Sequence, residues 1–270
     1  FRASKGVTGV LPTIGFFVLP ESMFASAKLL SSYLDQPMKG AKPLGLNMEG
    51  PFLHPDLGAH DNANCFREMD LIYLRRLLDA VGTSVKVMTI SPELPGAVEG
   101  IGMLASAGIV PAIGHTLAGE EELDRAIRAG AKLVTHILNT TYQPVQDIKG
   151  VVKTGVNEYL LLRDDTVAEF ICDTAGVHIN SVMLNIMLRC KTAERLILIS
   201  DSFMTPGLDE GTKLIMPDGR EVMLKDGVNY QTLTNHITGS AMTMDASVKS
   251  LLRLSDASLM EASLMASYNP

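Results

Sequence analysis

The stretch from Val110 to Asn139 constrains the fold more than any other part of the chain. It reads as strand, helix, strand. An apolar run, Val110 to Ile113, ends in Gly114-His115. Glu120, Glu121 and Glu122 then fill a first helical turn, where carboxylates favour the helix dipole. Leu123, Ala126 and Ile127 supply an apolar face at helical spacing, and Gly130 stops the helix. A second apolar run, Leu133-Val134, leads into Thr135-His136. Parallel strands joined by a right-handed crossover present their C-terminal ends at one edge of the sheet. Two imidazoles at that edge are placed to share one metal ion, since histidine is the commonest metal ligand.

The same rhythm runs along the chain. Gly6 to Leu11 is expected as a buried strand closed by Pro12-Thr13, with a helix from Ser22 to Tyr33. Pro43 to Gly50 gives a short strand ending in Glu49 and a Gly-Pro break. A helix from Met69 to Val81, a strand from Val85 to Ile90 and a helix from Ala97 to Ala107 follow. After the His136 unit come a strand from Val167 to Ile171, leading to Asp173 and His178, and a helix from Ser181 to Cys190. The last clear strand, Leu196 to Ser200, ends at Asp201. Seven strand-then-helix units with apolar, non-alternating strands indicate a parallel sheet covered on both faces. The expected class is α/β, a (β/α)8 barrel whose eighth strand lies upstream of Phe1. In such barrels reactive groups gather at the C-terminal strand ends, and Glu49, His115, His136, His178 and Asp201 all fall there. A doubly wound nucleotide fold is disfavoured because no glycine-rich phosphate loop occurs.

The stretch from Leu214 to Leu233 breaks the pattern. Turns at Pro217-Asp218-Gly219 and Asp226-Gly227 flank alternating residues, giving a β-hairpin. A lone hairpin is marginal in water, so 211–235 is expected to belong to a small β-sandwich domain, with 1–210 and 236–270 forming the barrel. Helices are expected from Asp245 to Leu254 and after the capping box Ser258-Leu259-Met260-Glu261. The chain lacks an initiator Met and stops straight after a helical pattern, so it is expected to be a piece of a longer protein.

Charge and composition narrow the partners. A net charge of −7 without a basic run argues against nucleic acid. No apolar stretch approaches the ~18–20 residues of a membrane span, and no signal peptide is visible. Three unpatterned cysteines, Cys65, Cys172 and Cys190, point to a reducing, cytoplasmic compartment.

Glu49, His115 and His136 suffice as protein ligands for a catalytic divalent ion with an open position for water. Asp201 is suited to move the water's proton to a leaving group, and His178 to hydrogen-bond a developing oxyanion. These parts describe metal-assisted hydrolysis of an amide or related bond. His54 is expected to be a surface loop residue, and His236, with no motif around it, to be structural.

Six segments then resemble, in order, one family. Leu46-Asn47-Met48-Glu49-Gly50-Pro51-Phe52 with Gly58-Ala59-His60 is similar to the EGPF…GAH segment of N-acetylglucosamine-6-phosphate deacetylases, members of the amidohydrolase superfamily. Gly114-His115-Thr116 resembles GHS/T, Thr135 to Asn139 resembles THLFN, and Gly176 to Ile179 resembles DGIHV. Ser200-Asp201 resembles TDA, and Gly239 to Met244 resembles GSALTM. The resemblance implies a (β/α)8 barrel with a small β-sandwich, and zinc or iron held by Glu49, His115 and His136. It further implies catalysis by Asp201, acetamide orientation by His178, and sugar binding by His60, Asn139 and Thr140. A homodimer acting on a small amino-sugar substrate is implied as well.

Two departures stand out. The family's phosphate-binding Arg aligns with Asp147, where a carboxylate repels a phosphate dianion, leaving Lys149 as the substitute cation. Asp173-Thr174-Ala175-Gly176 is longer than the usual ADG. Removal of acetyl from N-acetylglucosamine-6-phosphate is therefore the first expectation. The rivals are an amidohydrolase for an unphosphorylated amino sugar, cyclic amide or N-acyl amino acid, and a non-catalytic sugar-binding barrel.

Overall fold

The computed structural model describes residues 1–15, 18–37, 39–58, 65–141, 150–151, 153–216 and 218–270. His60, Asp147 and Lys149 lie outside them. The chain divides into two compact units, Thr8–Thr166, and Phe1–Val7 with Val167–Pro270.

The first unit alternates strand and helix: β1 (Gly9–Val10), β2 (Thr13–Gly15), α1 (Pro20–Ser31), β3 (Lys42–Pro43), β4 (Leu46–Glu49) and α2 (Leu71–Val81). It continues with β5 (Val85–Ile90), α3 (Ala97–Ser106), β6 (Val110–Ile113), α4 (Glu120–Ala129), β7 (Leu133–Val134) and α5 (Val156–Leu161). Strands β2, β4, β5, β6 and β7 pair in that order, all parallel. The start of the chain differs from the sequence expectation: none of Gly6 to Leu11 is buried, and α1 begins and ends two residues earlier than Ser22 to Tyr33. The chain does not close at Pro12-Thr13. Gly9–Val10 makes a separate two-residue pair with Lys42–Pro43, and the strand that joins β4 is Thr13–Gly15. Proline lacks only the donor; the Pro12 carbonyl accepts from Asn47 N at 3.0 Å, so the ladder resumes immediately.

Burial deepens toward the strand ends. In β5, Met88, Thr89 and Ile90 are buried, and in β6 so are Pro111, Ala112 and Ile113. Helix α4 buries Leu123, Ala126 and Ile127 on one stripe. Its first turn is closed by Glu122 Oε2, which accepts from Gly119 N at 2.8 Å. Helix α2 is capped by Asp70, whose carboxylate accepts from Ile72 N and Tyr73 N at 3.0 and 2.9 Å. Tyr73 rests against Phe52 and Phe66, with ring centroids 5.9 and 5.2 Å away, and this anchors the loop that follows Glu49.

The second unit contains β8 (Val167–Ile171), α6 (Ser181–Lys191) and β9 (Leu196–Ile199), the strands being parallel. An antiparallel meander follows: β10 (Lys213–Ile215), β11 (Glu221–Lys225), β12 (Val228–Gln231) and β13 (Ile237–Ser240), then α7 (Met244–Leu254) and α8 (Leu259–Ser263). The expected hairpin is β11–β12, turning at Asp226 and Gly227 with φ of +55° and +76°. Both central residues being left-handed matches the twist of the flanking strands. The hairpin is not alone, because β10 and β13 pair on either side of it. Among the described residues, no helix is long and apolar enough to cross a membrane.

One contact fixes the spacing of β5, β6 and β7 next to the future site. Thr89 and Thr135 share a buried hydroxyl contact of 2.9 Å. Gly114 lies between them: a Cβ there would sit 2.8 Å from Thr89 Cγ2 and 2.9 Å from Thr135 Cβ. β-Branched side chains have little freedom to yield. Replacing Gly114 by Ala is therefore expected to destabilise the protein by roughly 1–3 kcal/mol through overpacking, read as a lowered urea midpoint with unchanged slope.

Candidate metal centre

Glu49 is the last residue of β4, His115 follows β6 after Gly114, and His136 follows β7 after Thr135. All three are buried, and their ligand atoms lie within 4.8 Å of one another. One carboxylate oxygen, Glu49 Oε1, faces His115 Nε2 at 2.8 Å and His136 Nε2 at 3.0 Å. The imidazole rings meet edge to face, with centroids 5.0 Å apart. Burial pushes the Glu49 carboxyl upward, but its bonds to His115 and then His136 outweigh this and hold it well below the usual carboxylate range.

The second nitrogen of His115 decides what the cluster is for. Nδ1 lies 3.3 Å from the Leu57 carbonyl, which can only accept. A neutral imidazole carries one N–H. With that proton on Nδ1, Nε2 carries the lone pair that a metal ion would take, 2.8 Å from Glu49 Oε1. The set of one carboxylate and two imidazoles, with coordination positions left for water, fits a catalytic divalent ion of the zinc type.

The backbone at the ligands is strained to achieve this. His115 and His136 have φ of +50° and +27°, and Leu138 and Thr140 follow at +72° and +51°. Left-handed conformations at non-glycine residues persist only where surroundings enforce them. The enforcing groups are visible. Asn157, buried on α5, accepts through Oδ1 from Leu138 N at 3.1 Å and from Thr141 Oγ1 at 2.9 Å. Thr116 and Thr141 form a parallel bridge between the two ligand loops. Asn139 N donates to the His136 carbonyl at 3.0 Å, and Thr140 Oγ1 to the Asn139 carbonyl at 2.8 Å. No local sign in the sequence marks this role for Asn157, whose partners are a backbone N–H and a threonine hydroxyl 16 to 19 residues away.

His178 and Asp201 lie in the second unit. His178 is buried seven residues past the end of β8, and Asp201 sits two residues past β9 with φ of +41°. A Cβ on Gly239 would stand 2.9 Å from the Asp201 carbonyl oxygen and 3.4 Å from its Oδ2, so a glycine is needed beside this carboxylate. Ser240 N donates to the Asp201 carbonyl at 2.8 Å, tying the strand end to β13. His54 is half-buried, and its Nδ1 accepts from Asp56 N at 3.2 Å; His236 is exposed in the turn before β13.

The partner of His178 is Asp173, a residue that sequence analysis treated only as part of an unusual spacing. Asp173 Oδ2 accepts from the His178 backbone N at 2.8 Å and contacts its Nδ1 at 2.9 Å. Oδ1 accepts from Ala175 N at 2.9 Å and Val177 N at 3.0 Å. Burial raises the Asp173 carboxyl, yet these bonds, that to His178 first, pull it down to about 2. The longer loop thus wraps the carboxylate and fixes the imidazole. Because the folded value lies below the ordinary 3.8, this stabilisation is complete above pH ~4 and is lost as pH falls toward 2. Replacing Asp173 by Asn is expected to remove on the order of 2 kcal/mol at neutral pH and to flatten the stability curve between pH ~4 and ~2, measured by urea unfolding across that range.

No family model matches the chain. Among curated proteins, it is 30% identical over 277 residues to an N-acetylglucosamine-6-phosphate deacetylase from Vibrio furnissii, covering 100% of this chain and 65% of that protein. It is 28% identical to an N-acetylgalactosamine-6-phosphate deacetylase from Escherichia coli O157:H7, covering 100% and 68%. The chain spans about two thirds or less of the length of the curated relatives it matches. A solved mutant N-acetyl-D-glucosamine-6-phosphate deacetylase from Mycobacterium smegmatis, in complex with N-acetyl-D-glucosamine-6-phosphate, superposes with a TM-score of 0.86 at 26% identity, covering 100% of this chain and 68% of that one. The corresponding Thermotoga maritima enzyme gives 0.82 at 27% identity, covering 98% and 69%. The fold expected from the sequence, the α/β barrel of metal-dependent hydrolases, is the fold of these structures.

Proposed function

We propose that this chain, which belongs to the N-acetylglucosamine-6-phosphate deacetylase family, carries the metal centre and catalytic residues of an enzyme that hydrolyses the acetamide of an N-acetylated amino sugar 6-phosphate, releasing acetate. The carrying observation is the convergence of Glu49, His115 and His136 on one buried point at three strand ends. These residues would hold a divalent ion, zinc or iron. When bound, such an ion polarises a carbonyl and lowers the pKa of a coordinated water toward ~7.

The remaining roles fall to the chain's own groups. Asp201 takes the proton of the attacking water at its carboxylate and returns it to the departing amine nitrogen. His178, held by Asp173 through Nδ1, presents Nε2 to the oxygen that becomes negative as the acetamide carbon turns tetrahedral. Asn139 and Thr140, on the loop that Asn157 fixes, are the proposed sugar contacts within the described residues. His60 and Lys149 are proposed for the sugar and its phosphate. Support for phosphorylated substrates comes from the named activities of the relatives above; the carboxylate at position 147, where the family's Arg aligns, opposes it. A homodimer in the cytoplasm completes the proposal.

Acetate release is to be measured with N-acetylglucosamine-6-phosphate, its galacto epimer and unphosphorylated N-acetylglucosamine, in the presence of zinc or iron. Preference for a phosphorylated sugar supports the proposal, and the epimer ratio assigns the substrate. Preference for the free sugar assigns Asp147 to a changed specificity. No release from any of the three sinks the substrate class. Replacing Asp201 by Asn is expected to lower kcat by about 10²–10⁴-fold with metal content unchanged, and stripping the metal with a chelator to abolish turnover until metal is returned.

A further inference from the structure

The segment after β5, Ser91-Pro92-Glu93, supplies none of the three ligands, yet both of its polar side chains end on the loop that carries His115. Ser91 is fully buried. Its Oγ donates to the His115 carbonyl at 2.6 Å, lies 3.2 Å from the Gly114 carbonyl, and accepts from His54 N at 2.7 Å. Its backbone N donates to the Phe52 carbonyl at 2.9 Å. Ser91 therefore ties together two things that determine how His115 points. One is the left-handed backbone of His115 itself. The other is the 52–57 loop, whose Leu57 carbonyl lies 3.3 Å from Nδ1, where it can accept a proton held on that nitrogen.

Glu93 acts on the other side of the same histidine. Its Oε1 accepts from Leu117 N at 2.7 Å and its Oε2 from the buried Thr116 hydroxyl at 2.5 Å. Thr116 Oγ1 in turn accepts from Ala118 N at 2.9 Å. The carboxylate closes the turn that lets the chain leave β6 with φ of +50° at His115. Three consecutive residues, His115 to Leu117, are thus gripped at a carbonyl, a hydroxyl and an N–H by one short segment.

We propose that Ser91 and Glu93 are positioning residues that hold His115 in the metal-binding rotamer and tautomer: Ser91 through the His115 carbonyl and the 52–57 loop, Glu93 through Thr116 and Leu117. This rests on the metal centre proposed above. Removing either grip lets the left-handed turn relax toward ordinary backbone, moving Nε2 away from the ion. Neither side chain meets the reacting atoms, so the effect is on ion retention and coordination geometry.

The test uses the full-length protein, zinc competition against a chelator, and the visible absorption of the cobalt-loaded form. Ser91→Ala and Glu93→Gln are expected to weaken zinc retention by about tenfold or more and to alter the cobalt spectrum, while the metal-free proteins still melt cooperatively. Ser91→Thr keeps the hydroxyl and is expected to restore both readouts. Thr116→Val breaks the Glu93 contact from its other end, and combined with Glu93→Gln it should be no worse than either alone. Unchanged zinc retention and cobalt spectrum in S91A and E93Q, alongside loss of zinc in His115→Ala, overturn the positioning proposal and leave the metal centre standing. Additive losses in the E93Q/T116V pair overturn the Glu93 part. Full zinc retention in His115→Ala would remove the metal reading and this proposal together.

Discussion

A carboxylate oxygen wedged between two imidazole nitrogens, away from water, is the contact the first unit is arranged to hold. Left to itself it is an unfavourable object. A buried charge needs compensation, and among the described contacts Glu49 Oε1 finds it in two imidazole nitrogens at 2.8 and 3.0 Å. The surrounding scaffold keeps them together regardless. Two ligands adopt left-handed backbone, Thr89 and Thr135 meet over a residue with no side chain, and Asn157, Ser91 and Glu93 tie down the loops. Such preorganisation means that a cation entering the site meets ligands already aimed at it.

The second unit uses a carboxylate differently. Asp173 receives three backbone N–H groups and one imidazole, so its two oxygens are satisfied by hydrogen-bond donors. Glu49 receives aromatic nitrogens and no backbone donor among its described contacts. One environment sets a carboxylate beside two imidazoles that together could hold a metal; the other surrounds its carboxylate with donors and orients a histidine. Two acidic groups at comparable strand-end positions thus do different work because of what donates to them, in keeping with the general rule that surroundings separate the roles of paired carboxylates.

What could be read from the sequence follows from what each feature depends on. The α4 helix declared itself through three leading glutamates, a periodic apolar stripe and a terminal glycine, all local. Glu49, His115 and His136 could be placed together from sequence because parallel strands bring their C-terminal ends, and the residues just after them, to one edge. Other features were not local. The resumption of the ladder after Pro12 depends on Asn47 reaching its carbonyl. Strand β13 is only four residues long, and its ladder is made with β12 rather than within its own segment. Ser91, Glu93 and Asn157 look like ordinary polar residues in sequence; their importance comes from backbone and hydroxyl groups 16 or more residues away, whereas the partners of Asp173 lie within five residues. Asp173 alone left a trace, in the extra residue before His178.

The parallel register of β4 against β5 carries a consequence of its own. Met48 pairs with Met88 and Glu49 with Thr89. Side chains alternate across a strand, so a slip of one residue would turn Glu49 to the far face and bring Met48 to the ligand position. The same slip would turn the buried Leu46 away from its present face, so packing and the Glu49 position are specified together. The register of β4 against β5 therefore decides which side chain a divalent ion would meet at this strand end.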